Sequence, residues 1–331
     1  MSEKSVIVGF DGSEHSLRAL EWALSAARGF GAPLVVAHVR SDALQLGAAR
    51  IASLGESPEI RDAVTDGVHA WIEERGGVVE DEEWAGGGRA AGGKQVGEPG
   101  GGGVPVRYVS LDGSVTDALL AEARGARLLV VGSRGRGGFA TLLLGSTSRA
   151  LASASACPVV VVPHEARALS LESGAEAGRI LVGVHPEETS DEVIGFAFEA
   201  ARQRGVGLEV VTAYRLPPSP VMLIGPPAPA LQVPPPLPVD DTPELVRETV
   251  ERQRERLSPF TGRYPEVQVV PSVVPADAAG RLVEGSRSAG LVVVGRHRGH
   301  RVESLLMGSV AHAVLHHAHC PVAVVPPAPA P

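Results

Sequence analysis

Short runs of Val, Ile and Leu alternate along the chain with segments in which apolar residues recur every three or four positions. Nearly continuous apolar runs such as Val6–Phe10 and Leu128–Gly132 predict strands buried on both faces of a sheet. The segment Glu14–Gly29 instead has one apolar stripe, which predicts an amphipathic helix with Ser13 as its N-cap. The stripe consists of Leu17, Leu20, Leu24 and Ala27.

Strands and helices are predicted to alternate throughout the first half of the chain. The predicted strands are Val6–Phe10, Leu34–Val39, Val106–Ser110, Leu128–Gly132 and Pro158–Val162. Such alternation favours a parallel sheet with right-handed crossovers and helices on both faces. The sequence therefore predicts an α/β fold, an open doubly wound five-stranded parallel sheet that binds its ligand outside the carboxyl ends of the strands.

The whole pattern occurs twice. Ser5–Arg40 aligns without a gap on Arg179–Tyr214, at an offset of 174 residues. Leu128–Pro163 aligns without a gap on Leu291–Pro326, at an offset of 163 residues. A repeat of this length indicates two domains of the same kind, and the difference in offset must arise in the middle of each half.

We predict domains at residues 1–165 and 179–331, joined by a connector of polar and small residues at 166–178. In the middle of the first copy, the Gly-rich tract Ala85–Val104 has too few apolar residues to offset its ordering entropy, which predicts a mobile loop. In the second copy the Pro-rich tract Leu216–Pro238 predicts a stiff, extended segment. Both tracts are expected directly after the second strand of their copy.

Charge and cysteine content exclude several classes of protein. The net charge is −8, from 30 Lys and Arg against 38 Asp and Glu, which argues against a nucleic-acid surface and against docking on anionic membranes. Without a secretory signal or an 18-residue apolar run, the protein is expected to be cytoplasmic. Cys157 and Cys320 occupy equivalent positions before Val-rich runs and are predicted to be buried hydrophobic residues.

A glycine motif follows the fourth strand of the first copy. Its residues are Gly132, Gly135, Gly145 and Ser146, in the spacing Gly-x2-Gly-x9-Gly-Ser. Glycines let the backbone approach phosphate oxygens, and a helix that begins at Ser146 would supply free amides and a positive dipole end. Arg134 and Arg136 would add charge. A single glycine pair is better explained by tight packing, but the full spacing is much less expected by chance. Neither the P-loop motif nor Gly-x-Gly-x-x-Gly after the first strand is present.

On these motifs the chain resembles a tandem member of the ATP-binding subgroup of the universal stress protein family, over nearly all of its length except the two low-complexity tracts. The resemblance implies two such sheets related by a pseudo-two-fold axis, with ATP, with or without magnesium, bound in the first copy. In this family the residue at Asp11 serves the ribose or the phosphate–metal end, and the backbone at Val39 holds adenine. The implied site is Gly9, Asp11, Val39, Gly113, Val115, Gly132, Arg134, Gly135, Arg136, Gly145, Ser146, Thr147 and Ser148.

The second copy departs from this pattern. Arg298 stands at the position of Gly135, and His185 stands at the position of Asp11. An arginine there would either clamp a phosphate or block it, so the sequence leaves occupancy of this site open. The candidates are Gly183, Ala213, Gly295, Arg298, Gly299, Gly308 and Ser309. His312 and His316 share a helical face, for which a solvated surface is favoured over a metal site.

The leading functional hypothesis is a regulatory ATP-binding protein of the stress response with an unidentified protein partner. Strong catalysis is not expected, because Asp11 is the one candidate base in the motif, although slow hydrolysis or autophosphorylation on Ser146 or Ser148 stays open. The alternative is a nucleotide-independent module that docks partners through the Pro-rich tract. The resemblance also implies that the last strands of the copies meet as an intramolecular pseudo-dimer, and it leaves a homodimer of the whole chain open.

Overall fold

A computed structural model describes residues 4–40, 68, 71–79, 103–135, 144–164, 178–214, 242–275, 277–296 and 307–328. The first copy forms β1 (Val6–Gly9), α1 (Glu14–Phe30), β2 (Leu34–Arg40), β3 (Gly77–Val79), β4 (Val104–Asp112), α2 (Val115–Glu122), β5 (Leu128–Gly132), α3 (Ser146–Ala154) and β6 (Val159–Val162). The second copy forms β7 (Ile180–Gly183), α4 (Asp191–Arg204), β8 (Leu208–Tyr214), α5 (Thr242–Arg263), β9 (Val269–Pro275), α6 (Ala278–Gly285), β10 (Leu291–Gly295), α7 (Ser309–His317) and β11 (Val322–Val325).

The strands form one eleven-stranded sheet in the order β3-β4-β2-β1-β5-β6-β11-β10-β7-β8-β9. Neighbouring strands within each copy are parallel, so the predicted doubly wound parallel sheets are confirmed. In the first copy β2 lies on one side of β1 and β5 on the other, so the strand order reverses between β1 and β5. Ligands of such sheets bind at this reversal.

Helices cover both faces of the sheet, as the alternating pattern predicts. Val6 and Val8 face one apolar layer with α1, α4 and α5, whereas Ile7 faces the other layer with α2, α3, α6 and α7. The predicted cap of α1 is present, because Ser13 Oγ accepts a hydrogen bond from the Ser16 amide at 3.3 Å. Cys157 and Cys320 are both free and buried, as expected from the sequence.

The two copies join through their last strands. β6 and β11 are antiparallel, and Val160 pairs with Ala323. These two residues are equivalent in the repeat, so a pseudo-two-fold axis passes between them. The pairing covers two strand edges that would otherwise be open to association with other chains. The last strands therefore meet within one chain, as the resemblance implied.

The described residues of the first copy form six strands rather than the five that the sequence predicts. The additional strand is β3, which pairs with β4 at the sheet edge. It is only three residues long, too short to produce a recognisable periodicity. The Gly-rich tract 85–104 consequently follows β3 rather than β2, and its last residue, Val104, begins β4.

Several sequence predictions lie outside the described residues. These comprise the Gly-rich tract up to residue 102, the Pro-rich tract 216–238 and residues 166–177 of the connector. The domain boundaries and the docking role of the Pro-rich tract therefore stay predictions. Among the described residues, no helix is both long enough and apolar enough to cross a membrane.

Candidate functional site

The candidate site begins where the chain leaves β1 and enters α1. Asp11 Oδ1 accepts hydrogen bonds from the Ser13 amide at 3.0 Å and from the Ser13 hydroxyl at 2.6 Å. Because Ser13 caps α1, this carboxylate oxygen belongs to the turn that starts the helix. The other oxygen, Oδ2, points toward the glycine motif, since a Cβ added to Gly135 would lie only 2.7 Å from it.

Gly132, the last residue of β5, lies against the first turn of α1. A Cβ added there would lie 2.7 Å from the carbonyl oxygen of His15, so a side chain would collide with backbone. Packing alone is therefore sufficient reason for a glycine at this position. The contact also fixes the start of α1 beside the carboxyl end of β5, next to the reversal in strand order.

The start of α3 is fastened to the same turn. The Gly145 amide donates to the Ser133 carbonyl at 2.7 Å, and the hydroxyl of buried Ser148 donates to the Gly132 carbonyl at 2.7 Å. The two ends of the motif therefore meet although they are distant in sequence. Ser148 has a structural role in holding this turn, and its hydroxyl is not exposed as a phosphate acceptor would have to be.

The N-terminus of α3 has the features of an anion site. Gly145 is its N-cap, in an extended conformation, and contributes no side-chain cap. The first amides of a helix have no intrahelical acceptor, and the helix dipole places positive charge beside them. Ser146 is exposed and Thr147 half-buried at this end. In addition, Ser133 Oγ is buried without a hydrogen-bond partner, so the site contains an unused donor.

His15 also belongs to this region, although the sequence analysis did not assign it a role. Its ring centroid lies 4.7 Å from that of His164, and its Nδ1 is buried without a hydrogen-bond partner. Burial lowers the pKa of His15, with His164 and Arg134 adding to the effect and Asp11 opposing it. Its position in the first turn of α1, two residues after the Ser13 cap and directly behind the strand end that carries Asp11, is the sequence signal that could have identified it.

The remaining candidates on the adenine side lie at the same edge of the sheet. Val39 pairs with Leu111 near the ends of β2 and β4. Gly113 has a φ of 104°, which only glycine adopts readily, and it turns the chain from β4 into α2. Val115 begins α2 with 46% of its surface exposed. Arg134 lies beside His15, whereas Arg136 falls outside the described residues.

Gly9, by contrast, is half-buried and lies against a helix. A Cβ there would come within 3.1 Å of Leu119 in α2 and 3.2 Å of Val131 in β5. Gly183 has the same environment in the second copy, with Leu282 of α6 at 2.9 Å. These two glycines let a helix pack closely on the sheet, so packing accounts for both of them.

Comparison with known proteins decides the family. The model of the universal stress protein family matches residues 3–163 and again residues 176–326. The chain belongs to the universal stress protein family. A universal stress protein of Mycobacterium tuberculosis strain H37Rv is 30% identical over 322 residues, covering 97% of each chain. Another from Mycolicibacterium smegmatis is 30% identical over 331 residues, covering 98% of each.

Solved structures agree on the fold. A universal stress protein from Archaeoglobus fulgidus has a TM-score of 0.60 at 16% identity, covering 98% of this chain and 99% of its own. A functionally unknown protein from Pseudomonas aeruginosa has a TM-score of 0.58 at 16% identity, covering 98% of this chain and 93% of its own. At this identity the likeness shows the fold alone.

In the second copy of this universal stress protein, the equivalent turn has a different geometry. A Cβ on Gly295 would lie 3.1 Å from the Val193 side chain rather than against backbone. Gly308 caps α7 with a φ of 88°, whereas Gly145 caps α3 with a φ of −72°. Ser309 is exposed at the start of α7, and Ala213 pairs with Val274 near the ends of β8 and β9.

Only some of the positions that distinguish the second motif lie within the described residues. Arg298 and Gly299 lie outside the described residues. His185, at the position of Asp11, has an exposed side chain, and its amide donates to Thr189 Oγ1 at 2.8 Å. His312 and His316 share a helical face as expected, with ring centroids 4.5 Å apart. Within the described ranges, no three His, Cys, Asp or Glu residues are grouped to hold a metal ion.

Proposed function

We propose that the first copy binds ATP and that the protein acts as a cytoplasmic regulator in the stress response, with a partner-binding surface that depends on nucleotide occupancy. The observation that carries this proposal is the uncapped N-terminus of α3, fastened by Gly145 and Ser148 to the glycine turn after β5. Such a terminus is suited to phosphate oxygens because its amides converge where the helix dipole is positive.

The phosphates would lie between the first turn of α3 and the glycine turn. The Ser146 and Thr147 amides would donate to phosphate oxygens, and the unused Ser133 hydroxyl would provide a further donor. Gly135 supports this arrangement, because a side chain at this position would collide with Asp11 Oδ2. That oxygen would contact the ribose or a magnesium ion, which would help to neutralise the phosphates when bound.

The nucleoside would lie across the carboxyl ends of β2 and β4. In the sheet, β2 and β4 lie on one side of β1, and β5 with the glycine motif lies on the other. Val39, Gly113 and Val115 are therefore separated from the motif by Asp11. The backbone of Val39 would bind the adenine edge, and the exposed Val115 side chain would cover part of the base. ATP therefore accounts for both halves of the candidate site, whereas a free phosphate would use only the motif.

We infer regulatory binding rather than rapid turnover. Asp11 accepts two hydrogen bonds from Ser13 through Oδ1, and this fixes the carboxylate in the capping turn. His15 also lies beside the motif, and it is partly buried against His164. A bound nucleotide would instead order the loops at this edge of the sheet and change the surface available to a partner.

The test is calorimetric titration of the purified full chain with ATP and magnesium, using Ser146→Glu and Ser309→Glu as a matched pair. Both serines are exposed first residues of their helices, where a carboxylate is compatible with the helix dipole. We expect micromolar binding at one site per chain, weakened about tenfold or more by Ser146→Glu and changed less than about twofold by Ser309→Glu. Absence of ATP binding by the unaltered protein, or equal binding by Ser146→Glu, would contradict the proposal.

A further inference from the structure

One side chain connects the second copy to the candidate site of the first. Arg296 directly follows β10, in the glycine turn of the second copy. Its Nη1 donates to the carbonyl oxygens of Ser153 and Ser155, both at 2.8 Å. These carbonyls belong to the C-terminal end of α3. The helix that presents the candidate phosphate site at one end is thus held at its other end by the second copy.

The contact provides hydrogen-bond donors for carbonyl groups at the C-terminal end of α3. The last carbonyls of a helix have no intrahelical donor, and a cation beside them complements the negative end of the dipole. α3 has only nine residues, so its two ends are about 13 Å apart. A displacement of one end of so short a helix therefore moves the other. Charge-assisted hydrogen bonds from a guanidinium are among the stronger interactions that can hold a helix end in place.

Ser155 makes the connection rigid. Its amide donates to the Leu151 carbonyl at 2.9 Å, and its buried hydroxyl accepts from the Cys157 amide at 3.2 Å. The residue that accepts from Arg296 is therefore fixed both to α3 and to the chain entering β6. Because β6 pairs with β11, α3 is connected to the second copy both through Arg296 and through the strand junction.

Within the part of the chain that the structure describes, the equivalent residue of the first copy makes no matching contact. The residue equivalent to Arg296 in the first copy is Ser133, whose Oγ is buried without a hydrogen-bond partner. At the equivalent end of the second copy's helix, α7, the basic residues of the last turn are His316 and His317 of the helix itself. Arg296 is therefore not a requirement of the two-fold arrangement. It is a feature of the second copy that acts on the first.

We propose that Arg296 is a positioning residue for the nucleotide site of the first copy: by holding the C-terminus of α3, it sets the amides at the N-terminus of α3 against the glycine turn. This inference rests on the proposed function. The second copy would then contribute to nucleotide binding by the first copy, whether or not its own motif binds a ligand.

The experiment compares Arg296→Gln, Arg296→Lys and Arg204→Gln in the full chain by calorimetric titration with ATP. Arg204 is the matched control, because it also joins the copies, and its contacts with the Trp22 ring at 5.1 Å and the Gly290 carbonyl at 3.4 Å both lie outside α3. We expect Arg296→Gln to weaken ATP binding about three- to tenfold, and Arg296→Lys to recover most of the loss by retaining the charge. Arg204→Gln is expected to leave the ATP affinity unchanged.

Urea unfolding of the same proteins separates positioning from general stability. A positioning role requires the ATP affinity to follow the charge at residue 296 rather than the stability of each variant. Unchanged affinity in Arg296→Gln, or an equal loss in Arg204→Gln, would overturn the inference while leaving ATP binding by the unaltered protein intact. Failure of the unaltered protein to bind ATP would instead remove the proposed function itself.

Discussion

The two copies share a sheet and a set of helices, yet they differ at the point where the first helix begins. α1 begins at Glu14, directly after the cap formed by Asp11 and Ser13. α4 begins at Asp191, three residues later than the position equivalent to Glu14. The residues before it form a turn in which the Thr189 amide donates to the His185 carbonyl at 3.0 Å. The second copy thus uses a turn where the first copy has the start of its helix.

This difference determines what the glycine motif contacts. In the first copy the early start of the helix brings the His15 backbone against Gly132, whereas in the second copy Gly295 meets only the Val193 side chain. Glycines at equivalent positions therefore have different roles. Aligned glycines therefore keep the same place in the fold. The turn next to them decides whether that place has the geometry of an anion site.

Alanine substitutions at Gly132 and Gly295 test this difference between the copies most directly. Neither Gly132 nor Gly295 has a positive φ, so the backbone of each permits alanine. Gly132→Ala would place its Cβ 2.7 Å from a backbone oxygen, and we expect a loss of about 2–3 kcal/mol in the free energy of unfolding. For Gly295→Ala, a small movement of the Val193 side chain should limit the loss to about 1 kcal/mol or less.

Urea denaturation of the two variants beside the unaltered chain measures the difference. Equal losses would mean that the start of α1 adjusts as readily as a side chain does, and the structural distinction between the copies would then fail. A larger loss of unfolding free energy in Gly295→Ala than in Gly132→Ala would reverse this distinction.

The sequence was sufficient for the fold because its signals are local or repeated. Continuous apolar runs predicted the long strands, Ser13 predicted the start of α1, and the repeat predicted equivalent last strands that pair across an axis at Val160 and Ala323. β3 was missed, since three residues do not define a period and its pairing with β4 depends on tertiary context.

The candidate site was less predictable, because residue type does not reveal what a glycine approaches. Resemblance assigned Gly9 to the ligand, and the structure adds a second reason for this glycine, because a helix residue, Leu119, packs beside it. His15 received no role from the sequence, and its neighbours Arg134 and His164 come from distant parts of the chain. Its environment exists only once α1, the turn after β5 and the end of β6 have come together.

A smaller effect is expected from removing the hydroxyl that fastens α3 in the first copy. Ser148→Ala deletes the buried hydrogen bond to the Gly132 carbonyl, and we expect a loss of about 1 kcal/mol in the free energy of unfolding. The second copy already has buried Ala311 at this position, so its helix is held without such a bond.

Ser153→Ala is the control for Ser148→Ala, because its exposed hydroxyl bonds only to the Arg149 carbonyl of its own helix. We expect a change within about 0.5 kcal/mol for this control in the same denaturation experiment. If the two variants were equally stable, the fastening of α3 to the turn after β5 would not distinguish the copies energetically.

The smallest expected effect concerns pH and tests whether His15 belongs to the first site as its surroundings indicate. Burial lowers the pKa of His15 in the folded chain below its ordinary value of 6.5, so the unfolded chain takes up a proton more readily. The contribution of His15 to stability should therefore be fully present well above that value and be lost as the pH decreases through it, from about 7.5 to about 5.5.

His15→Gln removes this titration and should make the decline in stability between those pH values shallower, as measured by urea unfolding at each pH. His185→Gln is the control, since its side chain is exposed, and it should leave the decline as steep as in the unaltered protein. The position equivalent to His15 is Thr189, which does not titrate, so any pH dependence that His15→Gln removes must originate in the first copy. If His15→Gln left the decline unchanged, the burial of His15 beside His164 would have no energetic consequence, and the first site would lose one of the features that separate it from the second.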